Sequence, residues 1–370
     1  MSRQPVIALL GRPDAPTDAV EEYCRYLGEA LFAEDFNLSI ERVAWDESGW
    51  TRAASALRRR ATGWRGAWVL VQYTALAWSA RGFPLRFPRI LKTLKAAGAR
   101  VGVVFHDIEP FTGRRLIDRV RRRAQLHVMR KALRLSDAVV FTVPMEKISW
   151  VKRQAAKGRF IPVGANLPAS GEAASSKGIS TGGKLSVAVF GITGGPSGSR
   201  EIENIVEAVR FAASRVGDLR LIVLGRNSQS AEAQLKDRLR DSTVELHVLG
   251  VLPGEDVART LSVSDVLLFV RGPISSRRSS AIAGIACGLP VIAFEGPETA
   301  APITEAGLAL FSPGKKGDLK DVLLRVLEDN HYRTSLAQRS WLAQRQYFSW
   351  HVIAARYAEL LRTERRVGGF

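Results

Sequence analysis

The chain has 370 residues, 46% of them hydrophobic, and carries a net charge of +18. That length exceeds what a single hydrophobic core usually serves, so two domains are expected. No apolar run approaches the roughly 18 residues that span a bilayer, which argues against a membrane-crossing helix. The apolar start before Gly11 is too short for a secretory signal, and Cys24 and Cys287 lack Cys or His neighbours at metal spacing. A reduced, cytoplasmic protein is therefore expected. The charge is uneven: residues 81–134 hold 15 basic and 3 acidic side chains, enough to recruit an anionic partner. A solvated arginine-rich helix face is the plainer alternative.

Strands and helices alternate along the first half. Val6–Leu10 reads as a strand ending at Gly11-Arg12-Pro13, a plain turn in preference to a donor or acceptor loop, and Thr17 as the N-cap of a helix reaching Phe32. A strand is expected over Leu38–Trp45, a helix over Thr51–Thr62, a strand over Ala67–Gln72 and a helix over Phe87–Ala97 closed by Gly98. The apolar run Arg100–Phe105 leads straight into His106-Asp107. A long helix over Leu116–Leu135 follows, then strands over Ala138–Thr142 and Phe160–Val163. Such alternation predicts a parallel sheet with helices on both faces. Ligands of such sheets sit beyond the carboxyl ends of strands, which makes His106 and Asp107 candidate catalytic residues, with packing at a strand end as the alternative.

Pro168–Lys184 is rich in Ser, Gly and Ala and reads as a linker. The alternation then restarts with a strand at Leu185–Phe190, a glycine loop and a helix over Arg200–Ser214. Gly194, Gly195 and Arg200 suit a phosphate, because glycines admit close backbone approach and the helix start adds N–H donors; Arg226, after the strand Leu219–Leu224, is a possible second cation. Further strands are expected at Val244–Leu249 and Val266–Val270, with a helix over Gly254–Leu261. After Val270 comes Ser275-Ser276-Arg277-Arg278-Ser279-Ser280, at the start of a small-residue helix that runs to Cys287 and is closed by Gly288. Hydroxyls, guanidinium groups and a helix dipole at one place are the chemistry of a diphosphate cradle.

These segments resemble GT-B glycosyltransferases, and the second half is similar to glycosyltransferase family 4. The resemblance rests on VAVFGITGG, LRLIVLG and SDVLLFV…AIAGIACGLPVIAF in the second half, with SDAVVFTVP, IPVGANLP and VVFHDIEPF in the first. The tail SLAQRSWLAQRQYFSWHVIAARYAELL has the form of the family's closing helices. It implies an α/β fold of two Rossmann-like doubly wound domains facing each other across a cleft. Their bounds would be 1–167 for the acceptor domain, 168–184 for the linker, 185–340 for the donor domain, and 341–370 for helices crossing back.

The implied activity is transfer of a sugar from a nucleotide-sugar donor, with retention at the anomeric carbon and with His106 near sugar and acceptor. The nucleotide sugar would be a substrate, and neither a cofactor nor a metal is expected. One departure stands out: aligning CGLP places Ser275 and Ala283 where the family has two glutamates. Either the donor site is rebuilt around the serines and arginines, with Glu295 or Glu298 taking the ribose, or the protein is a non-catalytic binding subunit of a glycan-synthesis complex. The acceptor is expected to be a glycan or lipid-linked. Residues Arg81 to Arg134, where Phe83, Leu85 and Phe87 mix with arginines and Trp78 stands just upstream, suggest peripheral attachment to an anionic membrane at its inner face. Nucleic acid is not expected, since no recognition motif accompanies the charge.

Overall fold

The structure, a computed structural model, describes residues 3–151, 157–168, 183–312 and 318–363. It divides into two compact units, Met1–Pro162 with Trp350–Phe370, and Val163–Ser349. Within the first unit lie β1 (Gln4–Leu10), α1 (Ala19–Leu31), β2 (Phe36–Arg42), a short α2 (Trp45–Ser48), α3 (Trp50–Ala61) and β3 (Trp68–Tyr73). They are followed by α4 (Phe87–Ala96), β4 (Arg100–Phe105), α5 (Leu116–Leu135), β5 (Ala138–Phe141) and β6 (Gly158–Phe160). The second unit has β7 (Leu185–Phe190), α6 (Pro196–Val216), β8 (Leu219–Leu224), α7 (Ser228–Leu239), β9 (Val244–Gly250), α8 (Gly254–Ser262) and β10 (Val266–Phe269). It continues with α9 (Ser279–Ala286), β11 (Val291–Phe294), β12 (Leu308–Phe311), α10 (Leu319–Glu328) and α11 (Asn330–Ala343). The chain then returns to the first unit as α12 (Trp350–Arg362).

Each unit is built on six parallel strands, in the orders β2-β1-β3-β4-β5-β6 and β12-β11-β10-β7-β8-β9. These are two Rossmann-like sheets, the GT-B pairing. Strand direction of travel reverses between β1 and β3 in one sheet and between β7 and β10 in the other, so each unit has one topological switch point. Near-continuous apolar strands explain the parallel arrangement: every residue of β3 and of β10 is buried, as strands covered by helices on both faces require. Each unit has its own core, one centred on Leu9, Val71, Val103 and Phe141, the other on Val189, Val223, Leu268 and Ile292.

Several boundaries differ from expectation for local reasons. Asp18, not Thr17, caps α1, since its carboxylate accepts the Val20 and Glu21 N–H groups. Pro196 opens α6 earlier than Arg200, because proline's missing N–H costs nothing in a first turn. The sixth strand ends at Phe160 and begins earlier. The expected linker lies largely outside the described residues. Residues 341–349 stay with the second unit, and only α12 returns: Trp68 Nε1 donates to Leu361 O at 2.8 Å, and Tyr23 and Tyr357 hydroxyls meet at 2.9 Å. Gly288 has φ +69°, and the Leu289 N–H reaches back to Gly284 O at 2.9 Å, closing α9 as its sequence indicated. Among the described residues no helix is long and apolar enough to cross a membrane.

Candidate functional site

The second unit's switch point is flanked by the loops that follow β7 and β10. After β7 the chain turns at Gly191 (φ +80°), where an added methyl would meet the Arg271 guanidinium at 2.9 Å. Asn227, in the left-handed conformation, donates to Ile192 O at 2.8 Å, and Ile192 N–H donates to Arg226 O at 3.0 Å. Glu201, buried in α6, accepts the Thr193 N–H at 2.7 Å. The loop is thus pinned on three sides and leaves Gly194 and Gly195 exposed at the start of α6, with Arg200 exposed just past its first turn.

Arg271 was not expected to be part of this group. It follows β10 directly and its side chain lies beneath the glycine turn. Burial pulls its pKa below the ordinary arginine value; the Glu201 carboxylate opposes this, and the neighbouring Arg226 adds to it. The Arg271 guanidinium thus lies beneath the glycine turn and feels both the Glu201 and the Arg226 charge, a setting that suits an anion. The rule that ligands lie beyond strand ends at the switch point was the signal that could have found Arg271.

The Ser275–Ser280 cluster is arranged differently from a simple cradle. Ser275 and Ser276 are fully buried, and the Ser275 hydroxyl makes no hydrogen bond of normal geometry. They therefore present no side chain to an outside ligand. Arg277 is already engaged: its Nε and Nη2 donate to the two oxygens of Glu298 at 2.7 and 3.0 Å. Burial works against that carboxylate's charge, but the Arg277 hydrogen bonds and charge, with Arg278 and Ser275 beside it, hold its pKa below the usual range. The Glu298 loop is tied down through Thr299, whose hydroxyl donates to Ile274 O at 2.7 Å and accepts the Gly296 N–H at 2.9 Å. Arg278 caps α9, its Nε donating to Pro273 O at 3.3 Å, and Ser279 and Ser280 are half-buried in the first turn of that helix. Glu295 is exposed, and Ala283 is buried inside α9.

In the first unit the switch point between β1 and β3 holds a cavity of about 250 Å³ lined by Gly11, Arg12, Asp18, Gln72, Thr74 and Asp107, among others. Gly11-Arg12-Pro13, expected to be a plain turn, forms one wall. A methyl at Gly11 would run into Ala77 O, which also accepts the Arg12 N–H at 2.9 Å and the Trp45 indole at 2.8 Å. Only glycine lets the two loops cross this closely. Arg42 secures the same wall through Gly11 O at 3.0 Å and Asp18 at 2.7 Å. Asp107 enters the cavity wall while accepting the Ala75 N–H at 2.8 Å.

His106 stands one step behind. Its Nε2 lies 2.9 Å from Gln72 Oε1, and the Gln72 amide nitrogen donates to Leu70 O at 3.1 Å. That second bond fixes which end of the amide faces the ring, so His106 Nε2 carries a hydrogen. Tyr23 packs edge-on against the imidazole at 5.1 Å between centroids, and Tyr357 of α12 holds the Tyr23 hydroxyl. Burial, and after it the charge and hydrogen bond of Tyr357, keep the Tyr23 phenol well above its ordinary pKa, so it stays neutral. Gln72 and Tyr23 were missed, and Arg12 was set aside in a plain turn, because their roles depend on neighbours distant in sequence.

The basic segment around 81–134 divides by burial. Trp78 and Phe87 are core residues, which removes them from the expected membrane-facing set, whereas Leu85, Phe111, Leu116, Ile117 and Val120 are exposed. Among the described residues no cluster of three or more His, Cys, Asp and Glu side chains is arranged to hold a metal ion.

Comparison with known proteins gives a consistent result. Residues 189–329 match the family model for glycosyl transferases group 1. No curated protein matches the chain in sequence. Among solved structures, Anabaena Alr3699/HepE, crystallised with UDP and glucose, superposes with a TM-score of 0.64 at 14% identity, covering 97% of this chain and 99% of its own. A glycosyltransferase from Rickettsia africae ESF-5 gives 0.66 at 14% identity, covering 98% and 100%. A proposed UDP-N-acetylglucosamine 2-epimerase from Listeria monocytogenes gives 0.58 at 13% identity, covering 98% and 96%. The chain therefore has the GT-B fold, and its residues 189–329 are similar to glycosyl transferases group 1.

Proposed function

We propose that this protein is a glycosyltransferase that moves a sugar from a nucleoside-diphosphate donor to an acceptor. The observation that carries the reading is Arg271 beneath the glycine turn, with the Arg226 charge acting on it, inside the segment that matches the family. As the bond to the anomeric carbon breaks, negative charge grows on the leaving diphosphate. Preorganised guanidinium groups, the N–H groups at the start of α6, and those of Arg278, Ser279 and Ser280 at the start of α9 would stabilise it. On this reading transfer is retaining and proceeds without a metal, the charge being met by arginine. The cavity at Gly11, Arg12 and Asp107 takes the acceptor, a glycan or a lipid-linked precursor, with His106 next to it. The protein works in the cytoplasm, at the inner face of a membrane.

The HepE complex supports UDP as the first nucleotide to test. Thermal unfolding of the full chain with UDP, GDP, ADP and their sugars is the direct experiment, because a ligand that binds only the folded state raises its apparent stability. One nucleoside diphosphate is expected to raise the melting temperature; no shift with any of them refutes the donor site. Transfer by His106→Ala at the wild-type rate would refute the role of that residue alone.

A second reading, a non-catalytic binding subunit, is favoured by Ser275 and Ala283, the positions where the resemblance has carboxylates. Both are buried, and the nearby Glu298 is engaged by Arg277. The fold does not choose between reactions, since an epimerase shares it. Nucleotide binding with turnover of the bound sugar supports the enzyme; a chain that binds no nucleotide supports the subunit.

A further inference from the structure

Apolar side chains of α5 are not confined to its core face. Val128, Met129 and Ala132 are buried, but Leu116 is 76% exposed, Ile117 50% and Val120 54%. Leu116 is the most exposed large apolar side chain among the described residues. Residues 116, 120, 123, 127, 130 and 134 follow one line along the helix, at spacings of three and four. On this line stand Leu116, Val120, Arg123, His127, Arg130 and Arg134, all exposed. The helix thus has an apolar tip and a basic shaft on its solvent face.

The acids of this segment are engaged by the chain itself. Asp118, the one acid of α5, accepts the Arg115 N–H and pairs with Arg121. Glu109 accepts the backbone and hydroxyl of Ser149, and Asp107 accepts the Ala75 N–H. Those are all three acids of residues 81–134, against 15 basic side chains. Arg121 packs against Phe83 and Phe111 and donates to Arg81 O at 3.0 Å, and Gln125 donates to Gly82 O at 2.9 Å. The 81–83 and 111 loops are therefore fastened to the same end of α5, where Phe111 adds a further exposed apolar ring.

We propose that this end of α5 docks on an anionic lipid surface, Leu116, Ile117, Val120 and Phe111 entering the acyl boundary while Arg119, Arg123 and Arg130 lie along the headgroups. Charge complementarity selects this occupant. Nucleic acid would satisfy the arginines but offers nothing to three exposed aliphatic side chains, and a second copy of a chain carrying +18 would bring like charges together. Because β4 runs into the loop that begins α5, this tip is at the same edge of the sheet as His106 and Asp107. Docking would thus bring the first unit's cavity to the bilayer, which suits a lipid-linked acceptor; that consequence rests on the transferase reading, whereas docking itself does not.

The test is co-sedimentation of the full chain with vesicles of phosphatidylcholine alone and of phosphatidylcholine mixed with phosphatidylglycerol, at low and high salt, with no nucleotide sugar present. Binding is expected only to the anionic vesicles, weakening with salt and by about fivefold for each of Arg123→Gln and Arg130→Gln. The triple variant Leu116→Ser, Ile117→Ser, Val120→Ser is expected to lose about tenfold or more. Its melting temperature reports whether it is folded, and Leu116→Asp alone serves as a second variant. Equal binding to both vesicle types overturns the proposal. So does wild-type binding by the folded aliphatic variants, tighter binding to generic duplex DNA than to anionic vesicles, or a dimer that those variants abolish.

Discussion

Replacing Arg277 by methionine removes one half of an ion pair and leaves the Glu298 carboxylate behind. The pair is bidentate, at 2.7 and 3.0 Å, and its side chains are only 22% and 17% exposed. Exposed pairs contribute about 0.2–1 kcal/mol, whereas breaking a buried one costs about 3–5 kcal/mol; with four-fifths of each side chain out of water, about 2–3 kcal/mol is expected here. In a domain the size of the second unit that lowers the melting temperature by about 4–12 °C. The cost comes mainly from the stranded charge, so adding Glu298→Gln should recover most of it. The pH dependence has a definite sign. Glu298 is held below its usual pKa in the folded state, so the pair's stabilisation is present above the unfolded carboxyl pKa and is lost as pH falls through the depressed folded value. The gap between wild type and Arg277→Met should therefore be full at neutral pH and close in acid, below about pH 4. Differential scanning calorimetry across pH measures it. A single variant as stable as wild type at pH 7, or a double variant less stable than the single one, would refute the reasoning.

Arg271→Met should behave in the opposite way. Because Arg271 is desolvated beside like-charged Arg226, its removal should leave the melting temperature unchanged or higher while lowering nucleoside-diphosphate affinity by about tenfold or more, read by calorimetric titration. Gly11→Ala drives a methyl into Ala77 O and should destabilise the first unit by about 1–3 kcal/mol in urea unfolding, with the cavity wall displaced. Tyr357→Phe leaves the Tyr23 hydroxyl buried without its partner and should cost about 1–3 kcal/mol, most of which Tyr23→Phe in the same chain restores.

What the sequence determined by itself is the local order. Apolar runs such as Val266–Phe269 and Trp68–Tyr73 are too uniformly apolar to be half-exposed strands, and the helical spacing between them forces parallel crossover connections. Gly288 and the glycines of the β7–α6 turn were legible because backbone conformation is a property of the residue itself. Contacts between distant residues were not. Nothing in the cluster at Ser275–Ser280 announces that its first two serines are interior or that Arg277 is taken by Glu298, since that pair is closed by a strand and a loop that the local pattern does not contain. Arg271 was passed over as a strand terminus, although its position beneath Gly191 makes it the better candidate for a phosphate. Helix α5 shows the same limit: spacing says which side chains share a face, and only packing decides which face the core covers. Val128, Met129 and Ala132 face the core while Leu116 and Val120 share the solvent line of Arg123 and Arg130, and the difference lies entirely in what the rest of the chain brings up against each side.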